Sequence, residues 1–416
     1  MKKILRIFLY SLLGLLLVLF AGIHIIYHTF SPDDKEITVD KSNLGFYHAS
    51  YEECRQTFRD EAKILMSQYE QAELFSIHVP SPTDKDLTID LFYLPPLQQT
   101  DKLLVLSSGV HGVEGYTGSA VQQMFLKELV TKDVLADMGV LIIHGVNPFG
   151  FKYLRRQTEN NVDLNRGSEI DPSLFTVKNQ GYGKLNDMLN PEGKVSTNSL
   201  TNQFFYVTAI SKILKTSMSA TRQAIVQGQY EYPEGLFFGG FDFEPQIDSL
   251  RKVLPVYLAP YSTILEIDLH TAYGSRGVLH LFPNAVSDPE LKKKTELVFK
   301  GHQIDWGDSD NFYTVSGGFA DTFMSKLTPH AQYLYMVFEW GTYDTETTFG
   351  SIKSLQIMIN ENQGYHYGYK NNVQEKKIKK SISEMEYPSS EAWRSETMNT
   401  GREMLSLVLK TYPEID

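Results

Sequence analysis

The sequence predicts an α/β fold, with helices packed on both faces of one central sheet, and three observations predict it. Short apolar runs of strand length alternate with segments of helical periodicity. Several of those runs, Leu103–Leu106, Val140–Ile143 and Thr263–Ile267, are apolar nearly throughout, as strands covered on both faces must be. Neither an internal repeat nor a low-complexity tract interrupts the alternation. At 416 residues the chain exceeds one compact core, so a large domain with insertions and a pair of smaller domains both satisfy its length.

In chain order, Lys2, Lys3 and Arg6 precede an apolar run from Ile7 to Tyr27, and a helix of that length spans about 30 Å, the thickness of a bilayer core. Residues 1–30 read as a membrane anchor. The competing reading, a cleaved signal peptide, is disfavoured because the apolar run continues past the only small pair, Ala21-Gly22. The basic flank keeps the N-terminus in the cytoplasm, which places the remainder on the periplasmic or extracellular side as a single-pass protein of the cytoplasmic membrane. His24 and His28 then lie in or beside the interface. Residues 31–45 form a polar tether, and residues 46–416 are expected to be one domain.

Within that domain Tyr51–Tyr69 reads as a helix that carries Cys54, the only cysteine, so no disulfide supports the fold. Leu74–Val79 and Leu87–Phe92 form a hairpin across a Ser/Pro/Thr/Asp turn. Leu103–Leu106 is a strand, Thr117–Val130 a helix, and Val140–Ile143, Thr263–Ile267 and Gln332–Phe338 are further strands. The stretch 171–246 breaks the rhythm. It is rich in Asn, Gly, Gln and Tyr, has one clear helical segment at Asn202–Lys215, and reads as an insertion that either shapes substrate access or decorates the surface. Glu386–Tyr412 closes the chain with a helix. With 39 Lys and Arg against 50 Asp and Glu, the net charge is −11, which excludes nucleic acid as a main partner because phosphate binding needs basic patches.

The chemistry concentrates at the carboxyl ends of predicted strands, where open α/β sheets place ligands. Ser107-Ser108-Gly109-Val110-His111-Gly112-Val113-Glu114-Gly115 brackets a His and a Glu with glycines, so that a tight loop can aim both at one centre. Asp268-Leu269-His270-Thr271 ends another strand on the same edge. Two imidazoles and one carboxylate form a three-donor set that leaves a fourth zinc position open, and Asp268 is placed to orient a ligand behind it. Glu339 closes the apolar strand before Trp340, and a carboxylate there is costly to bury without a purpose. Next to a metal it can take a proton from water and pass it to a leaving nitrogen. Asn147-Pro148-Phe149-Gly150 leads to Arg155-Arg156 and on to Val162-Asp163-Leu164-Asn165-Arg166. Arginines in such a turn suit one gripping a carboxylate and another facing a reacting carbonyl.

Taken together, H-x-x-E, N-P-x-G, the Arg-rich turn into V-D-L-N-R, the strand-end His, a Tyr before S-G-G and the strand-end Glu resemble the zinc carboxypeptidase superfamily, in its order, from His111 to Glu339. The D-L-H-T and F-E-x-G-T contexts look most like its poorly characterised branch of metallopeptidases. The resemblance implies a mixed, mostly parallel central sheet and one zinc ion. It further implies His111, Glu114 and His270 as metal ligands, and Glu339 as general base and acid. Arg156 matches the arginine that polarises the scissile carbonyl, with Arg155 as the substitute. Asn165 and Arg166 match the pair that holds a substrate carboxylate, and Tyr313, in Phe312-Tyr313-Thr314-Val315-Ser316-Gly317-Gly318, the tyrosine that closes over substrate. Gly167 departs from the Asn that commonly follows the N-R pair. Ala320, at the position that sets side-chain preference, gives no reason to expect basic specificity. The first hundred residues and the insertion lie outside the resemblance. What it implies is a hydrolase of peptide bonds. An N-acyl amino acid deacylase like succinylglutamate desuccinylase or aspartoacylase, with the same zinc set, and a peptide-binding pseudoenzyme are the alternatives.

Overall fold

The computed structural model describes residues 2–283, 286, 288–306 and 315–415. Seven strands form one sheet: β1 (Glu73–His78), β2 (Thr88–Leu94), β3 (Lys102–Ser108), β4 (Gly139–His144), β5 (Thr263–Ala272), β6 (Leu279–Phe282) and β7 (Gln332–Gly341), in the order β1-β2-β4-β3-β5-β7-β6. The inner neighbours β4, β3, β5 and β7 pair parallel, while β1, β2 and β6 add antiparallel edges. This is the mixed, mostly parallel sheet that the resemblance implies. The predicted hairpin is present as β1 and β2. The edge strand β6 was not expected from the sequence. Its four residues are too few to show a periodicity, and its partner β7 lies far along the chain.

The helices of the chain include α1 (Lys2–Thr29), α2 (Tyr51–Met66), α3 (Gly115–Met124), α4 (Pro148–Tyr153), α5 (Phe205–Lys215), α6 (Met218–Val226), α7 (Pro245–Leu258), α8 (Thr348–Tyr367), α9 (Asn372–Glu386) and α10 (Glu391–Thr411). The pleat explains how helices come to cover both faces. Along β3, Leu104 and Leu106 point to one side and pack with Trp393 and Leu405 of α10. Leu103 and Val105 point to the other and pack with Ile247, Leu250 and Leu254 of α7. Each such fully buried aliphatic side chain contributes about 1.5–3 kcal/mol, which fixes the strand register on which the site depends.

The insertion holds more order than its composition predicts. The expected helix is α5, but α6 and several single turns accompany it, capped by Asn179, Ser199 and Ser217. Tyr182, Phe205, Tyr206 and Leu236 pack against Ile352 and Ile359 of α8 in a third apolar cluster. Tyr27 joins that cluster from α1. Over Lys3–Thr29, α1 is the one helix among the described residues long and apolar enough to cross a membrane. The tether is pinned to the folded body, with Arg276 Nε donating to Asp34 at 2.6 Å and the Asp40 amide donating to Ser395 Oγ at 3.0 Å.

Candidate active site

Three parallel strands deliver the predicted residues to one edge. After β3 the chain turns through a single 3-10 turn, Gly112–Glu114, with His111 at its start. Side chains three residues apart nearly eclipse in such a turn, so His111 and Glu114 face the same way. Gly112 is required there, because a Cβ would stand 2.1 Å from the Gly150 carbonyl carbon at the start of α4. The N-P-x-G segment thereby fits against the H-x-x-E loop. Asn147 Oδ1 accepts from the Gly150 amide at 2.9 Å, Asn147 Nδ2 donates to the Arg156 carbonyl at 3.0 Å, and the Gly112 amide donates to the same carbonyl at 3.1 Å. His270 and Glu339 sit on adjacent strands in direct register.

The donor atoms converge. His111, Glu114 and His270 are buried and each offers an atom within 4.8 Å of the others. The two Nδ1 atoms are 3.2 Å apart, His111 Nδ1 is 2.8 Å from Glu114 Oε1, and His270 Nδ1 is 2.9 Å from Glu114 Oε2. Both far nitrogens face buried aspartates. His270 Nε2 is 2.6 Å from Asp268 Oδ2, and His111 Nε2 is 3.2 Å from Asp163 Oδ1. For His270, an imidazole that donates Nε2–H to a carboxylate presents the Nδ1 lone pair to the centre, which is the tautomer a metal ligand needs; His111 Nε2 is shared between Asp163 and the donor Arg156 Nη2, 2.7 Å away. Asp268 is itself held by Ser107 Oγ, which donates to it at 2.8 Å.

The electrostatics fit a cation. Glu114, Asp163, Asp268, Glu339 and Glu386 are buried around the two imidazoles and the guanidinium groups of Arg156 and Arg166. Burial opposes the charged form of His270, but the Asp268 and Glu114 carboxylates outweigh it and hold its pKa well above the ordinary value. Burial, and then the Glu114 carboxylate, push Glu339 up to about 8. Burial likewise works against the Glu114 carboxylate, yet both imidazoles bring its pKa down. A metal ion at the donor set would take the place of the protons that these groups otherwise retain.

The remaining predicted residues separate. Arg156 lies at the centre. Its Nη1 donates to Glu114 at 3.1 Å, Nε donates to Asp163 at 3.3 Å, and Nη2 lies 2.7 Å from His111 Nε2. Arg166 lines the same cavity, with Nε donating to the Val226 carbonyl at 2.6 Å, and Asn165 lies beside it, accepting from the Phe319 amide at 2.9 Å. Glu339 accepts from the Tyr273 amide at 2.9 Å. The expectation that Arg155 could substitute for Arg156 or bind substrate is corrected. Arg155 is fully buried, donates to Glu361, Asn161 and Asn362, and stacks on the Tyr365 ring 3.3 Å from its centroid, away from the cavity. Tyr313 lies outside the described residues.

Three participants were missed or underweighted. Asp163 belongs to the V-D-L-N-R turn yet serves as the counter-ion of Arg156 and the support of His111. Phe237, from the insertion, holds a left-handed φ of 54° and faces the guanidinium carbons of Arg156 and Arg166 at 5.7 and 5.3 Å. Such a conformation in a bulky residue stores strain that surrounding packing must impose. Glu386, the last residue of α9, is wholly buried in the cavity wall, and neither of its carboxyl oxygens has a hydrogen-bond partner among the described residues. No motif marks Glu386, because it reaches the site only through the packing of α9.

The family model for DUF2817, described as a protein of unknown function, matches residues 47–400. The chain belongs to that family. No curated protein matches this DUF2817 chain. Among solved structures, bovine thrombin-activatable fibrinolysis inhibitor in complex with tick carboxypeptidase inhibitor is similar at 15% identity and a TM-score of 0.41, over 77% of this chain and 96% of that one. Carboxypeptidase A from Helicoverpa armigera is similar at 14% identity and a TM-score of 0.38, over 84% and 76%. A succinylglutamate desuccinylase from Silicibacter is similar at 12% identity and a TM-score of 0.35, over 71% and 67%. These values say nothing about the activity of this DUF2817 chain.

Proposed function

We propose that this protein is a zinc-dependent hydrolase that cleaves an amide bond next to a carboxylate-bearing residue, with its catalytic domain (residues 46–416) outside the cytoplasmic membrane to which residues 1–30 anchor it. One observation carries the reading. Two imidazoles and a carboxylate from distant parts of the chain converge through Nδ1, Nδ1 and both Glu114 oxygens, with a buried aspartate behind each imidazole. His111, Glu114 and His270 would hold the ion, and their N/O donor set suits zinc. When bound, zinc supplies Lewis acidity that polarises the scissile carbonyl and makes water a better proton donor.

The protein side chains do the rest. Glu339 accepts the proton of the attacking water and returns it to the leaving nitrogen, so that one amide and one water become one acid and one amine. Its burial withholds competing water from the reaction. Arg156, fixed by Glu114 and Asp163, faces the negative charge that develops on the carbonyl oxygen. Arg166 and Asn165 hold the carboxylate of the substrate. Tyr313 completes the proposed set as the residue that closes over substrate.

Peptides and N-acyl amino acids both meet this description, and one assay separates them. Purified full-length protein in detergent is expected to contain one zinc per chain. It should hydrolyse either short peptides or N-acyl amino acids, lose that activity to a chelator and regain it with added zinc. Protein free of zinc and unable to bind it, or activity indifferent to chelation, would sink the proposal. Zinc held without turnover of either substrate class would favour the pseudoenzyme instead.

A further inference from the structure

The cavity that contains the donor set has a volume of about 210 Å³ and two unlike walls. One is the sheet edge, with the ligands, Arg156 and Glu339. The other, built by the insertion and α8, is mainly apolar. Ile213, Met218 and Ile225 come from α5 and α6, and Ile352, Leu355 and Met358 from α8. A peptide-sized polar substrate leaves that second wall without a purpose, since apolar surface in contact with water contributes nothing to binding. The wall is continuous with the catalytic centre, because the same cavity includes Phe237, whose ring faces both guanidinium groups.

The helices that form this wall also receive the N-terminal helix. The α8 helix turns Leu355 and Met358 to the cavity, and on its opposite face Gln356 accepts from Tyr27 Oη at 2.8 Å while Lys353 lies 4.8 Å from the centre of the Tyr27 ring. The α5 helix meets α1 through Tyr206, whose ring centroid is 4.9 Å from that of Tyr27, and meets the cavity one turn later and beyond through Ala209 and Ile213. Phe204, just ahead of α5, lies 6.2 Å from Phe20 of α1, and Leu200 and Leu214 on this segment are 77% and 81% exposed. The apolar wall and the apolar helix α1 thus share α5 and α8 as their supports. Oily side chains outside the protein at this position suit contact with a lipid surface.

The geometry points to a long acyl chain as the occupant of the apolar wall, which makes the substrate an N-fatty-acyl amino acid taken up at the membrane surface. This inference rests on the proposed hydrolase reading and specifies its substrate. The amino-acid carboxylate meets Arg166, the scissile amide lies against the donor set, and the acyl chain runs along α6 and α8. Water adds to the acyl carbon, the C–N bond breaks, and the nitrogen leaves with a proton delivered by Glu339. The products are a fatty acid, which the bilayer can accept, and a free amino acid. Each additional methylene placed on the wall should add to affinity, since apolar transfer is cumulative.

The test is a chain-length series on the full-length protein with zinc: N-acetyl, N-octanoyl and N-dodecanoyl forms of alanine and of phenylalanine, each below its micellar concentration. We expect kcat/KM to rise at least 100-fold from acetyl to dodecanoyl. Ile213→Asn and Leu355→Gln, on separate helices in case one fails to fold, should each compress that ratio at least tenfold. A flat ratio, with N-acetyl substrates or peptides still turned over, overturns the acyl subsite and leaves the hydrolase standing. A second readout does not depend on turnover. Calorimetric titration of the Glu339→Gln protein should show N-dodecanoyl-alanine binding at least 100-fold more tightly than N-acetyl-alanine. Equal binding overturns the subsite. Tight dodecanoyl binding without hydrolysis of any amide by the wild-type protein refutes the hydrolase and retains the subsite.

Discussion

The two walls of the cavity are made on different principles. The sheet-edge wall is charged, and its side chains are fixed by bonds to one another: Asp268 behind His270, Asp163 behind His111, and the Tyr273 amide on Glu339. The opposite wall is mainly apolar and held chiefly by packing, on helices of an insertion that leans against α8, with bonds such as Arg222 to Ser351 Oγ at 3.2 Å at its margin. Rigid parallel strands can keep several polar groups at bonding distance, whereas an inserted segment can change its side chains without moving them. On the proposed reading, chemistry belongs to the sheet and choice of substrate to the insertion and α8. Substitutions on the first wall should change turnover or metal retention. Those on the second should change which substrate is turned over.

The largest effect is expected at Glu339. Glu339→Gln keeps the shape and the bond from the Tyr273 amide but cannot accept a proton, so kcat should fall by about 10²–10⁴-fold while zinc content stays at the wild-type level. Full turnover in this variant, measured together with its metal content, would show that the base lies elsewhere and would blur the distinction between the walls.

The adjacent arginines provide a sharper contrast within the first wall. Arg156→Ala removes the charge proposed to face the reacting carbonyl, and kcat should then fall by about 10²–10³-fold. Arg155→Ala instead leaves the buried carboxylate of Glu361 with Lys379 in place of two cations, so stability should fall, by up to the roughly 3–5 kcal/mol that breaking a buried pair outright costs. Denaturant unfolding and kinetics on both variants distinguish the two roles. If Arg155→Ala were to lower kcat in a protein of undiminished stability, the structural assignment of Arg155 would fail.

This pair also shows where reading the sequence succeeds and where it stops. The β3, β4, β5 and β7 strands are legible because apolar runs can only be buried, and their parallel pairing then carries His111, His270 and Glu339 to one edge. Residue type and spacing do not separate Arg155 from Arg156, and only the resemblance ranks Arg156 first. The difference arises at the end of α4, where Leu154 takes a left-handed φ of 51° and the two side chains depart in opposite directions. Phe237 and Glu386 left no signal for a related reason. The first belongs to an insertion whose fold depends on α8, and the second to a helix whose end reaches the site only after α9 packs on β5, where Thr271 Oγ1 donates to the Glu386 carbonyl at 2.5 Å.

The aspartates behind the imidazoles should have smaller effects. Asp268→Asn leaves a partner for His270 Nε2 but weakens its orientation and basicity, so zinc affinity should drop about 10–100-fold. Competition with a chelator of known affinity measures the change. Unaltered affinity would mean that Asp268 balances charge and does not orient the ligand.

The smallest expected effect separates Glu386 from its charged neighbours. Burial, and then the nearby Glu114 carboxylate, raise its pKa well above the ordinary carboxylate value, despite the opposing pull of Arg156. The sign follows from linkage. Between the unfolded pKa, about 4.3, and the higher folded one, the native protein binds more protons than the unfolded chain, so this residue lowers stability progressively as pH rises through that interval. Gln is of the same size and cannot ionise, so Glu386→Gln removes the decline. In metal-free protein the Tm of the variant relative to wild type should therefore increase from pH 5 to pH 8. A constant difference across that range would mean that Glu386 ionises as readily in the folded protein as in the unfolded chain, and that a positive group faces its two unpartnered oxygens. Measured again with zinc bound, the pH-dependent gain should shrink, because the ion's charge favours the carboxylate that Gln lacks.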